Sequence, residues 1–156
     1  MSVSDEAFLR RAIALAHQAR QQGLKPFGAV LVVENTIVQE GFDRSLELSD
    51  PTYHVELSLI STYCRAHRLL SLHGFALYAS TEPCPMCAGA IHWSRISRLV
   101  FSVSQQMLQS LSGGRPKPSC ESLLADYDEI EITGPLLSEE GLRVFDGYEF
   151  NSVTGR

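Results

Sequence analysis

The chain predicts an α/β fold in which a mixed sheet is flanked by helices. Three observations carry this: an amphipathic opening segment, a two-residue turn joining two apolar runs, and the strand–helix alternation that follows. Its 156 residues are enough for one domain around one core, and no internal repeat or shift in composition divides 1–156.

Residues 4–22 read as a helix. Ser4 is the candidate N-cap, with Asp5 and Glu6 in the first turn, at the positive end of the helix dipole. Phe8, Leu9, Ala12, Ile13 and Ala16 make one apolar stripe, and Gly23 ends the helix. Phe27 to Val33 reads as a strand, Glu34-Asn35 as the turn, and Thr36 to Phe42 as its hairpin partner. Residues 43–53 read as a polar loop ending in Asp50-Pro51-Thr52-Tyr53. A helix follows from His54 to His67, then a third strand within Leu72–Ser80. Pro83 and Pro85 open a helix that runs from Pro85 to Ser94, since proline suits the first turn. Ile96 to Val103 is the fourth strand, 110–119 a loop, Glu129 to Thr133 the fifth strand, and Ser138 to Phe145 the last helix.

The chemistry concentrates in His54-Val55-Glu56 and Pro83-Cys84-Pro85-Met86-Cys87. Two cysteines three apart at a helix start put two thiolates on one side of it. A histidine from elsewhere completes three protein ligands for zinc and leaves the fourth tetrahedral position open to water. Glu56, two residues past the histidine, can reach that water without binding the metal. Cys64 and Cys120 belong to no second paired motif, which argues against a structural zinc knuckle; they read as reduced thiols.

His-x-Glu followed by Pro-Cys-x-x-Cys resembles the signature of the zinc-dependent cytidine and nucleobase deaminases. The likeness covers residues 8–103 strongly and the rest loosely. It implies a three-layer α/β/α sandwich with five strands and the two metal-binding helices side by side. It also implies a homodimer in which zinc-activated hydroxide replaces an amino group on a ring, with His54, Cys84 and Cys87 on the metal and Glu56 moving the protons; the reduced thiols separately point to a cytoplasmic protein. All four positions are intact, which argues against an inactive structural or RNA-binding relative.

Several features resemble the guanine deaminase branch: Pro26-Phe27-Gly28-Ala29-Val30, the Pro-Met filling of the cysteine motif, and Gly89-Ala90-Ile91-His92-Trp93. Others resemble the bacterial tRNA adenosine deaminases: Asp50-Pro51-Thr52, Ala88-Gly89-Ala90 and Ser94-Arg95-Ile96. Charge separates the two. The formal net charge is −5, and from Glu121 onward nine acidic residues stand against Arg143 and Arg156. A chain that grips polynucleotide offers a basic face. The expectation is therefore a small nucleobase, guanine, with no nucleic-acid and no membrane partner; tRNA, another free base, a nucleoside and an aminotriazine are the alternatives. Phe27 and Trp93 are candidate flat walls for the heterocycle or ordinary core residues, and Gly28-Ala29 a backbone edge that a ligand could approach. Phe145, Tyr148 or Phe150 could close the pocket. Two positions depart from the family pattern. Val55 stands where alanine is usual. Asp43 stands where the family has a substrate-binding asparagine, so it either accepts from ring N–H groups or does not touch substrate. Glu82 is either structural or a contact to the substrate edge.

Overall fold

A computed structural model describes residues 2–127 and 129–150. Helix α1 (Val3–Gln21) precedes the hairpin β1 (Gly28–Val33) and β2 (Thr36–Phe42). There follow α2 (Ser45–Leu48), α3 (Val55–His67), β3 (Ala76–Thr81), α4 (Pro85–Ser94), β4 (Arg98–Val103), α5 (Gln105–Ser112), α6 (Cys120–Leu124), β5 (Glu131–Thr133) and α7 (Ser138–Arg143). The sheet order is β2-β1-β3-β4-β5. β1 runs antiparallel to β2 and β3, and β3, β4 and β5 run parallel. The expected five-stranded mixed sheet is thus observed.

Strand alternation sorts the layers. On one face Tyr78 packs at a tilt against Phe8 of α1, and Ser102 donates to the carbonyl of Leu137 at the start of α7. The other face carries α3 and α4, which pack against each other, with α6 against α4. Between the layers lie Leu31, Leu77, Leu99, Val100 and Ile91, all fully buried. No helix among the described residues is long and apolar enough to cross a membrane.

The cap of α1 is Ser2, not Ser4. Ser2 Oγ accepts from the Asp5 N–H at 3.1 Å, and the Asp5 carboxylate accepts from the Ser2 N–H at 2.8 Å. This reciprocal box needs an acidic side chain three residues after the cap. Asp5 stands three after Ser2, whereas Ala7 stands three after Ser4. Glu34 and Asn35 both take positive φ, the geometry of a tight hairpin turn whose twist matches the strands. β3 and β4 begin later than the apolar runs suggest. Leu72 is instead a buried anchor whose N–H donates to the carbonyl of Ser94, so apolar character there marks packing outside the ladder.

Three helices fall where loop, or nothing, was expected. α2 lies in the 43–53 segment. α5 and α6 bracket the Gly-Pro-rich stretch, capped by Ser104 and Ser119. Gly28 also has another role than the one expected. A Cβ there would sit 2.4 Å from the carbonyl oxygen of Ala12 and 2.6 Å from the nitrogen of Ala16. The backbone that approaches it is that of α1, which only glycine lets lie so close to the sheet.

Candidate metal centre

Two helix starts build the centre. The turn before α3 is made by Asp50, whose carboxylate accepts from the N–H and hydroxyl of Thr52 at 2.9 and 2.7 Å. The Thr52 carbonyl then accepts from the N–H of His54. His54 is the N-cap of α3 and Cys84 the N-cap of α4, both with extended backbone and neither using its side chain to cap the helix. An N-cap side chain points across the helix end, so the two are presented toward each other as α3 and α4 pack together. Cys87 lies in the first turn of α4.

His54 Nδ1 lies 3.4 Å from Cys84 Sγ, and the ligand atoms of His54, Cys84 and Cys87 all fall within 4.8 Å of one another. Tetrahedral zinc with nitrogen at about 2.0 Å and sulfur at about 2.3 Å sets such ligands about 3.6 Å apart. The set therefore fits zinc in size and in donor chemistry. Both helix N-termini bring their positive ends to the site, which favours thiolates.

Glu56 lies two residues past His54 on the first turn of α3 and is 1 % exposed. Cys120 is buried but is not among the clustered ligands. Burial first, then the nearby negative groups Glu82, Glu56 and Cys84, hold its thiol far above the usual range. It stays protonated and lies 3.3 Å from the carbonyl of Pro83.

Phe27 is buried, its ring 5.9 Å from that of Phe145, and its carbonyl accepts from the N–H of Asp43. Asp43 Oδ1 accepts from the N–H and hydroxyl of Ser45 at 2.9 and 2.6 Å, so this oxygen builds the start of α2. Ala29 and Val55 are fully buried. Trp93 is not brought to the metal ligands. It stands at the opposite end of α4, 80 % exposed, in a surface groove with His73, His92, Arg95 and Tyr127. The apolar motif suggested a wall, but a ten-residue helix carries its last turn away from its first. Among the three aromatics expected as candidates to close the pocket, Phe145 is core, while Tyr148 and Phe150 pack over it at 6.3 and 5.6 Å. Arg20 holds this segment, donating to the Val144 carbonyl at 2.7 Å and lying over the Tyr148 ring. Burial raises the Tyr148 phenol, and the Asp43 charge adds to it.

Glu82 is another residue whose role the sequence leaves open. It is 3 % exposed, and its carboxylate accepts from the backbone N–H groups of Gln105 and Cys120. Serine caps at Ser104 and Ser119 were the available signal for the two helices it joins. Glu82 also lines a groove of about 940 Å³ between α5, α6 and β5, which none of the three clustered ligands lines.

Residues 2–103 match the cytidine and deoxycytidylate deaminase zinc-binding region. A probable cytosine deaminase of Schizosaccharomyces pombe is 36% identical over 154 residues, 95% of this chain and 94% of the relative. The guanine deaminase of Bacillus subtilis is 42% identical over 101 residues, 64% of this chain and 65% of that one. A solved structure from work on A-to-I editing by tRNA:A34 deaminases superposes with a TM-score of 0.75 at 28% identity, covering 89% of this chain and 99% of the other. With the motif, the ligand cluster and the sheet in agreement, this chain belongs to the zinc-binding cytidine and deoxycytidylate deaminase family.

Proposed function

We propose that this chain is a hydrolytic deaminase of a small free nucleobase, converting guanine and water to xanthine and ammonia. The observation that carries the choice of a small ligand is the C-terminal aromatic segment. Phe145 seats on Phe27, and Tyr148 and Phe150 pack over it. That segment is acidic, with Glu139 and Glu140 on α7, so it opposes rather than attracts phosphates.

His54, Cys84 and Cys87 would hold zinc, which when bound lowers the pKa of water so that it can attack the amino-bearing ring carbon. Glu56 would take one proton of that water and hand it to the adjacent ring nitrogen, then take the second from the added hydroxyl and deliver it to the departing amino group, which leaves as ammonia, acting as base and then acid at each stage. Its burial excludes bulk water from this transfer. Phe27 and Ala29 supply apolar wall, and Tyr148 covers the opening. Asp43 orders the loop that ends at His54 by holding Ser45, and its charge favours a ring edge that presents N–H groups.

The assembly is a homodimer in this reading. Met86, Gly89, Ala90 and Trp93 make an apolar stripe along the outer side of α4 at helical spacing, and Trp93 is mostly exposed on a single chain. Cytosine is the second reading, because the similarity to the S. pombe protein runs through the C-terminal third as well.

The test is incubation with guanine, with cytosine and with an adenosine-bearing tRNA anticodon stem-loop. Xanthine and ammonia from guanine is the expected result. Uracil from cytosine alone would establish the second reading. Inosine in the stem-loop with both free bases untouched would overturn both.

A further inference from the structure

We propose that Glu82 is a positioning residue for the metal centre, docking the N-termini of α5 and α6 onto the two residues that precede Cys84. The inference rests on zinc binding at His54, Cys84 and Cys87, not on which base is deaminated.

Every polar group of Glu82 in this segment is engaged. Oε2 accepts from the Gln105 N–H at 2.8 Å and Oε1 from the Cys120 N–H at 2.7 Å. Its carbonyl accepts from Gln105 Nε2 at 2.5 Å, and its own N–H donates to the Val103 carbonyl at 2.7 Å. The next residue is held too, since the Pro83 carbonyl accepts from the Cys120 thiol at 3.3 Å. Gln105 and Cys120 are each the first residue of a helix, where the backbone N–H has no partner within the helix. The carboxylate answers both at once.

The consequence falls on Cys84. As the N-cap of α4 its side chain is aimed by the backbone immediately before it. The Cys84 carbonyl accepts from the Ala88 N–H at 2.8 Å, so the helix fixes its backbone on one side and the clamp on 82 and 83 fixes it on the other. The clamp thereby helps to set the direction of Sγ. Groups that orient metal ligands without touching the metal are worth about 10- to 100-fold in metal affinity.

Glutamine tests this with nearly the same shape. It keeps one acceptor but turns an NH₂ donor toward the other backbone N–H, so one helix start loses its partner. Glu82→Gln should keep a native far-ultraviolet circular dichroism spectrum. It should release zinc to a competing chelator with an affinity about 10- to 100-fold weaker than the unaltered chain. Loaded with cobalt(II), it should show a shifted thiolate-to-metal absorption band, because that band reports the sulfur geometry. Gln105→Ala leaves both carboxylate bonds in place and removes only the hold on the Glu82 carbonyl. It should move both readouts in the same direction by less, and it carries the test if Glu82→Gln does not fold. A Glu82→Gln protein with a lowered Tm but unchanged zinc affinity and cobalt spectrum would make Glu82 a fold element alone and overturn the proposal. If Glu82→Gln is unfolded, unchanged values in Gln105→Ala would overturn it equally. Neither readout uses a substrate, so failure here is separable from failure of the guanine reading.

Discussion

Two pairs of helices in this chain turn their N-termini toward negative side chains. α3 and α4 begin at His54 and Cys84, and α5 and α6 begin beside the carboxylate of Glu82. The electrostatics are shared: helix ends carry unpaired N–H groups and partial positive charge, and both pairs favour an anion. The geometry differs. At Glu82 each carboxylate oxygen receives one helix-end N–H, and the arrangement is closed by the protein itself. At His54 and Cys84 the caps leave the helix ends to themselves, and their side chains meet with Cys87 around one point within 4.8 Å. An anion at a helix start is thus not by itself a sign of a site. What distinguishes the metal pair is a donor set of the right softness converging on a volume the size of an ion.

The strongest way to break the comparison is to remove a ligand. Cys87→Ala should lose stoichiometric zinc, measured by elemental analysis, and should unfold at lower temperature because metal binding and folding are coupled. Full zinc occupancy in that variant would mean the two helix starts do not form a metal pair.

Next in size is the proton transfer proposed for Glu56. Glu56→Gln should keep zinc but lower turnover of the working base about 100- to 10,000-fold, with KM little changed. Near-normal kcat would assign the proton transfer to another group.

A third helix start sharpens the contrast, because its carboxylate is also charge-paired. Asp5 closes the capping box of α1 and meets the Arg98 guanidinium and the Tyr78 hydroxyl. Arg98 first, and then the Ser2 and Tyr78 bonds, hold its carboxyl far below the ordinary range against the opposing effect of burial. A depressed carboxyl contributes stability above its unfolded pKa of about 3.9 and loses it as pH falls toward the folded value. Asp5→Asn should therefore unfold at lower urea than the unaltered chain at pH 7, with the gap narrowing toward pH 3. A gap independent of pH would show that the hydrogen bonds, not the charge, matter there.

The smallest effect belongs to an ordinary cap. Ser104 Oγ accepts from the Met107 N–H at 3.1 Å, and Ser104→Ala should cost about 1 kcal/mol by urea denaturation. A loss several times larger would mean that the start of α5 does more than end a helix, as its contact with Glu82 suggests.

The metal ligands were legible because chemistry restricts them to few residue types at tight spacing, and three such residues stand in two short motifs. The opening helix, the hairpin and the order of the strands were legible because burial on one side leaves a period in the sequence. Other positions were not. Trp93 and Phe27 are both aromatic beside a motif, yet one is 80 % exposed at the far end of α4 and the other is buried against a residue 118 positions later. Asp43 stood open between a substrate contact and a group that does not touch substrate, and one of its carboxylate oxygens holds Ser45. Gly28 looked like room for a ligand and is room for α1. α5 was lost beside its Gly-Pro-rich neighbour although Ser104 marks its start.

From the sequence alone came the family, the α/β class and the zinc donor set, since each depends on residue identity or on a local period. The tertiary structure alone decided which side chains share a space: that α3 and α4 present their first residues to each other, that Phe145 seats on Phe27, and that Glu82 joins two helix starts 38 and 23 residues away. Such contacts arise from chain segments distant in sequence, where the hydrogen-bond partner of a buried carboxylate is chosen by packing and leaves no spacing to read.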